Sequence, residues 1–275
     1  MDLSRSNSPC HDKPVAEKSN NHGGAAVVIP ALEEAATIGA VVAGCRALPF
    51  VSKIIVVDDG SADDTAGIAR RCGARVLRNP ANQGKGASLW RGMTEAVGTG
   101  AERVATLDGD GQHRPDDLAQ MFAASLAWPG HIVIGSRRAS GRDAPRARFV
   151  ANRVADFWVS WAARHPIDDS QSGFRIYPAA LIRTLAPRKQ LSRGFAFESE
   201  VLIEAARLGF STVAVDIPTI YGGALRRPSH FRPIVDITRI VVMVAGKLFR
   251  RGMDPVGLWR SLTLPRRHAA TPCHH

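Results

Sequence analysis

The chain alternates between two hydrophobic periods. Short, mostly apolar runs recur at residues 25–29, 53–57, 104–107, 131–134 and 212–217, with a weaker one at 75–77. Runs of this length, closed by Pro, Gly or Asp, predict strands buried on both faces. Between them lie longer segments of helical spacing. These predict helices over 37–46, 64–72, 86–97, 115–128, 151–163 and 195–208, with Thr37 as an N-cap and Pro115 near the first helical position. Residues 167–178 read as a polar loop turning into a further short strand. Strand and helix in alternation predict an α/β fold around a mostly parallel sheet.

Both ends depart from this rhythm. Residues 1–24 hold few apolar groups and predict a disordered tail. The α/β domain is expected over 25–223, a basic helical segment over 224–263 and a loose tail over 264–275. From Arg226 to Arg251 seven Arg or Lys stand against one acid, Asp236. Ile234, Ile237, Val241, Val244 and Leu248 form one apolar stripe there, with Arg239, Lys247 and Arg250 on the other side. Two readings fit this helix: it lies in a membrane interface, or it packs on the core with a solvated basic face. Trp158 and Trp161 are expected in core or interface packing rather than as sugar platforms.

A length of 275 residues and an apolar content of 45% suit one large α/β domain with appended segments. The formal net charge of +11 implies an anionic partner. A nucleic acid is not expected, because carboxylates cluster at the strand ends and would repel phosphate without a metal. The four cysteines form no CxxC pair, so neither a zinc site nor a disulfide framework is expected. No apolar leader and no run of 18 uncharged apolar residues occurs, so the expected location is cytoplasmic and peripheral to the membrane, without a transmembrane helix.

The chemistry gathers at VATLDGDGQH, residues 104–113. A buried strand ends in Asp108 and Asp110, with Gln112 two further on, and the intervening glycines let the backbone fold tightly. Hard oxygen ligands at that spacing suit Mg²⁺ or Mn²⁺ held together with a substrate phosphate. A calcium loop would need Gly and Glu where His113 and Ala119 stand. A haloacid-dehalogenase-type phosphatase would carry the pair near its N-terminus. A solvated Asp-Gly turn is the plain alternative. Asp58 and Asp59 end another strand and can accept from a base or a ribose, with Asp63 or Asp64 capping the next helix. NPANQGKG, residues 79–86, is a Gly-rich turn opening a helix, where backbone amides at Gly84 and the Lys85 ammonium suit a diphosphate.

In order, VVIPALEEAATI, IIVVDDGSADDT, NQGKGASL, TLDGDGQHRPDD, GSRR and DDSQSGFRIYP resemble the family 2 glycosyltransferases of GT-A fold over residues 25–220. Within them the pattern resembles the dolichyl-phosphate mannose synthase and polyprenyl-phosphate glycosyltransferase branch. The resemblance implies a Rossmann-like mixed sheet, a UDP- or GDP-linked sugar donor, a divalent metal and inversion at the anomeric carbon. It puts Asp108, Gly109, Asp110 and Gln112 at the metal and donor diphosphate, and Pro30, Ala31, Glu34, Asp58 and Asp59 around the nucleoside. Arg137, Arg138 and Arg175 would lie near the diphosphate or the acceptor phosphate, and Asp169 on the acceptor side.

The family's usual P-x-Y-N-E is altered here to Leu32 and Glu33 before Glu34. The expected acceptor is a lipid at an anionic membrane surface, foremost a polyprenyl phosphate, which needs no strong base near pH 7. A lipid or pigment hydroxyl would need one, with Asp169 the first candidate and Glu198 the second. A relative that only binds nucleotide or membrane is the non-catalytic alternative. A nucleotidyltransferase would show a G-x-G-x-R loop where Pro30, Ala31 and Leu32 stand.

Overall fold

The computed structural model describes residues 24–137, 146–186, 194, 196–218, 233–250 and 252–269. The expected N-terminal tail through residue 23, Arg138, the basic loop through residue 145 and the last residues from 270 lie outside them. Seven strands form one sheet: β1 (Ala25–Ala31), β2 (Val51–Asp58), β3 (Arg75–Arg78), β4 (Arg103–Thr106), β5 (His131–Ser136), β6 (Arg175–Pro178) and β7 (Ser211–Asp216). Their spatial order is β3-β2-β1-β4-β6-β5-β7. Only β6 runs against its neighbours β4 and β5; every other pair is parallel. The helices are α1 (Ile38–Ala47), α2 (Thr65–Arg71), α3 (Lys85–Gly98), α4 (Leu118–Ala127), α5 (Arg146–Ala163), α6 (Ala179–Leu185), α7 (Ala196–Arg207), α8 (Pro233–Phe249) and α9 (Pro255–Thr263).

The continuous apolar runs are explained by two core layers. Along β1, Ala26 and Val28 enter the layer shared with α3, α5 and α7, while Val27 and Ile29 enter the layer shared with α1 and α4. Alternate residues of a strand face opposite sides, so a strand covered on both faces has no polar position to spare. On the first face, α3 approaches closely at Gly92: a Cβ there would lie 2.4 Å from Val28 Cγ1.

Several boundaries differ from expectation. β1 continues through Pro30, which pairs in register with Val57 of β2. The β4 ladder on the other side ends at Val28, so the missing Pro30 N–H breaks no bond. α6, between β6 and the next loop, was hidden in an apolar stretch that carried no cap signal. Thr37 makes no side-chain cap to α1. Of the cysteines, Cys45 is a buried free thiol pushed up to about 12 by burial, and Cys72 is disulfide-bonded, where no disulfide framework was expected.

The C-terminal segment is part of this body. Ile237, Ile240, Val244 and Leu248 of α8 are buried in the core, so the stripe read from the sequence packs on α5 and α7 rather than facing outward. Lys247 reinforces it, 2.9 Å from Glu200 and 2.7 Å from Glu204 of α7. Trp161 is a core residue stacked on Trp158, and its indole N–H donates to the Asp254 carbonyl at 3.0 Å. Nor are residues 264–269 a loose tail. The Ala214 amide donates to the Arg267 carbonyl, and the Ala269 amide donates to the Ala214 carbonyl, both at 2.9 Å. Arg266 and His268 pair with the buried Asp168. Among the described residues no helix is long and apolar enough to cross a membrane.

Candidate active site

The carboxyl ends of β1, β2, β4 and β5 open on one edge of the sheet, the place where ligands bind in open α/β folds. Because β6 is antiparallel, its beginning and the loop before it, residues 168–173, reach the same edge. Pro30, Glu34, Asp58, Asp59, Lys85, Asp108, Asp110, Arg137, Asp169 and Glu198 therefore converge from seven distant stretches of sequence.

Two loops are stitched together at the ends of β1 and β2. The Glu33 amide donates to Ser61 Oγ at 2.9 Å and the Glu34 amide to Thr65 Oγ1 at 2.8 Å. Thr37, read as a cap, instead donates to the Gly109 carbonyl at 2.6 Å and so ties the first loop to the acidic turn. A Cβ on Gly109 would lie 3.5 Å from Glu34 Cγ and from the Pro30 carbonyl oxygen, which measures how closely the turn abuts that loop. Glu33 has φ 58°, a left-handed backbone that Asn tolerates better than Glu. This is the position where the resembled family carries Asn. Glu33 holds it with a side-chain bond of 2.6 Å from the Ala62 amide.

Asp58 and Asp59 face inward more than expected. Asp58 is fully buried, accepts from the Ser61 amide at 3.0 Å and pairs with Arg78 at 3.1 Å. Asp59 organises the Gly-rich turn: its oxygens accept from Asn79 Nδ2 at 2.6 Å, the Gln83 amide at 2.9 Å and the Gly84 amide at 2.8 Å. The Gly84 amide, expected to await a diphosphate, is thus spent on Asp59. Gly84 stands at φ 91°, a conformation that suits glycine, and delivers Lys85 into the site.

The centre is a charge cluster drawn from three elements. Lys85 Nζ lies 2.8 Å from Asp108 Oδ1 and 3.3 Å from Glu198 Oε1. Burial alone would lower the Lys85 ammonium; Asp108 and Glu198 outweigh it and hold it above its ordinary range. Burial would likewise raise Asp108, and the Lys85 charge overrides it, holding that carboxyl low. Asp110 goes the other way: burial, then the charge of Asp108, push its carboxyl up. Its Oδ1 accepts from the Gln112 amide at 2.9 Å, while the Gln112 side chain is exposed. Among the described residues no three His, Cys, Asp or Glu side chains form a ready-made metal cage. Asp108, Asp110 and the Gln112 amide oxygen instead offer an all-oxygen set.

Gly173 closes the cluster. A Cβ there would come within 2.7 Å of Glu198 Oε1, 3.0 Å of Lys85 Nζ and 3.2 Å of Asp108 Oδ2. His113 also belongs here. It is buried against Phe174 and pushed down to about 4, chiefly by burial, and its Nδ1 has no hydrogen-bond partner among the described residues. Sequence reasoning passed over both residues, although His113 ends the acidic run and Gly173 sits inside a quoted motif.

On the other flank Asp169, itself left-handed at φ 50°, binds Arg137 through both oxygens. Arg137 Nε and Nη2 each donate at 2.8 Å and its amide at 3.0 Å. Burial would raise Asp169, but Arg137 holds it below the usual carboxylate range. An ionised carboxylate occupied in this way is a poor proton acceptor, so Asp169 positions Arg137 rather than serving as a ready base. Arg175 corrects another expectation. It is fully buried, and its guanidinium donates at 2.7 Å to each of the carbonyls of Ser170, Ser172 and Glu198. It shapes the 168–173 loop and the start of α7, and its full burial keeps it from the open edge where a phosphate would sit.

These features belong to a glycosyltransferase of GT-A fold. The chain is a member of Glycosyl transferase family 2, whose pattern matches residues 26–184. It is 28% identical over 215 residues to the UDP-N-acetylglucosamine–dolichyl-phosphate N-acetylglucosaminyltransferase of Methanococcus voltae, covering 71% of this chain and 85% of that one. It is 28% identical over 201 residues to the polyprenol monophosphomannose synthase of Mycolicibacterium smegmatis, covering 70% and 75%. The fold matches the glucosyl-3-phosphoglycerate synthase of Mycobacterium tuberculosis, solved with Mn²⁺, UDP and phosphoglyceric acid, with TM-score 0.61, 24% identity and coverage of 84% and 78%.

Proposed function

We propose that this glycosyltransferase moves a sugar from a UDP- or GDP-linked donor to a lipid phosphate, foremost a polyprenyl phosphate, with inversion and with a divalent metal. The observation that carries the reading is the cluster of Lys85, Asp108, Asp110 and Glu198 at the carboxyl edge of the sheet. The similarity to enzymes named for dolichyl and polyprenol phosphates supports the acceptor class.

The residues present fit Mg²⁺ or Mn²⁺. Asp110 is raised by burial and then by its neighbour's charge, Glu198 Oε1 is buried with the Lys85 ammonium 3.3 Å away, and the donor set is all oxygen. Asp108, Asp110 and Gln112 would hold the ion. When bound, it supplies neutralisation of the departing nucleoside diphosphate. Lys85 adds a fixed positive charge beside the same carboxylates, and Pro30, Ala31 and Glu34 border the nucleoside side. Arg137, oriented by Asp169, would be the cation that meets an acceptor phosphate. The acceptor oxygen attacks the anomeric carbon from the face opposite the diphosphate, one C–O bond forming as the other breaks. A phosphate acceptor is already ionised near neutral pH, which agrees with Asp169 being occupied. A hydroxyl acceptor is the second reading, in which Glu198, with the Lys85 ammonium 3.3 Å from its Oε1, would be the base. The domain reading follows suit: the catalytic machinery falls to residues 25–223, and within 224–263 helices α8 and α9 would brace it at the cytoplasmic face of a membrane.

The test is a thermal-shift titration with UDP and GDP, each with and without Mn²⁺, on wild type and Asp110→Asn. A ligand at about 100 times its Kd raises stability by about 2.7 kcal/mol. The expected result is a metal-dependent shift with one nucleotide, lost in the variant. Absence of any shift at saturating metal would overturn the donor reading.

A further inference from the structure

Helix α9 packs on the core through Leu258 but keeps most of its apolar side outside. Its small residues, Gly257 and Ser261, are buried, while Trp259 is 64% and Leu262 66% exposed. A loosely attached helix would turn its apolar side inward, and this one is clamped against doing so. Asp254 caps it by accepting from the Gly257 amide at 3.0 Å, pairs with Arg164 at 3.1 Å, and receives the Trp161 indole N–H on its carbonyl. The orientation is therefore held by the fold, and the exposed apolar side is a property of the surface.

The outer face of α8 continues that surface. Val242 and Phe249, seven residues apart and so on one side of the helix, are 65% and 79% exposed. The turn to α9 is tight: the Gly252 amide donates to the Phe249 carbonyl at 3.1 Å, and the Met253 amide to the Leu248 carbonyl at 2.9 Å. Phe249 is thus brought beside the start of α9. Cations rim the patch, with Arg250 and Arg260 exposed next to Phe249 and Trp259 in sequence. The nearby acid, Asp254, is consumed by the cap and by Arg164.

From this we infer that the outer face of α8 and α9, centred on Phe249, Trp259 and Leu262, seats the protein on a bilayer containing anionic lipid. Trp, Phe and Leu facing out beside arginines are the residues that enter the headgroup boundary, and basic residues draw such a surface toward anionic headgroups. A second copy of this chain fits worse, because it would bring two cationic rims of a protein of net charge +11 together. The inference rests on the lipid-acceptor reading for its purpose, and it differs from the stripe read in the sequence, which is buried. It also has a route to the site. The segment after α9 pairs with Asp168, whose neighbour Asp169 holds Arg137, so the membrane face and the acceptor flank share one loop.

The experiment is flotation of the full chain with vesicles of phosphatidylglycerol and phosphatidylcholine, and with phosphatidylcholine alone, for wild type and Trp259→Ser/Leu262→Ser. Both positions are solvent-facing, and an unchanged nucleotide thermal shift would establish that the variant is folded. The expected result is preferential flotation of wild type with the anionic vesicles and a loss on the order of tenfold in the variant. Equal flotation of the two proteins would overturn the inference. So would a wild-type dimer in sedimentation velocity that the double substitution dissolves. Wild type that floats yet labels no lipid phosphate would sink the acceptor reading and leave the surface standing; labelling without flotation would do the reverse.

Discussion

Around the carboxyl ends of β1, β2 and β4, large polar side chains are buried and bonded. On the outer face of α8 and α9, large apolar side chains are exposed while Gly257 and Ser261 are buried. Folding stability alone favours neither arrangement. Removing charges from water is costly unless each is compensated, and leaving Trp259 and Phe249 in water forgoes burial. Each region makes sense through what we propose it meets: a charged donor and acceptor at the sheet edge, and a partner of mixed apolar and anionic character at the helices. The first region is the more constrained, because its oxygens and nitrogens must be satisfied one by one.

The largest expected effect tests the polar region at its least compensated member. Asp110→Asn should lower transfer on the order of 10³-fold while the chain stays folded; radiolabel transfer and circular dichroism check it together, and retained activity would take Asp110 out of the site. Gly173→Ala places a methyl among Glu198, Lys85 and Asp108. It should cost on the order of 10²-fold in kcat with little change in nucleotide binding, since a displacement near 1 Å at the reacting groups has about that effect.

Asp169→Asn should reduce stability by about 3 kcal/mol, because Arg137 loses a buried partner, and should raise the acceptor KM. Its pH dependence has a definite sign. Arg137 holds the Asp169 carboxyl below its unfolded value, so its contribution is present above that value and is lost as pH falls through the depressed folded one. The stability gap between wild type and variant should stay constant from neutral pH down to about 4 and narrow below that, as urea titrations at several pH values would reveal. Lys247→Met gives the smallest effect and belongs to the brace rather than the site. Glu200 and Glu204 lose their shared cation at a cost of about 2 kcal/mol, with the nucleotide thermal shift unchanged.

Much of this architecture is legible in the sequence because a sheet covered on both faces demands unbroken apolar runs. β2 and β5 follow their runs closely at the buried end, and Asp108 and Asp110 lie at the strand end where the pattern puts them. What the sequence withheld depends on contacts between distant segments. Nothing local distinguishes Arg137, which keeps a guanidinium at the site, from Arg175, which spends its own on three carbonyls. Thr37 sits where a cap belongs and bonds across 72 residues instead. The stripe on α8 has the spacing of an interfacial helix and of a core helix alike, and α5 and α7 decide between them. Helix α9 is too short for periodicity to state which face is covered.

The central claim is tested most directly by acceptor competition. The full chain would be incubated with Mn²⁺, a radiolabelled UDP- or GDP-sugar, and either a polyprenyl phosphate or the matching free polyprenol, and label in the organic phase counted. The account predicts label on the polyprenyl phosphate and none on the alcohol. Label on the alcohol with the phosphate inert would contradict it, and would make Glu198 the base of a hydroxyl transferase.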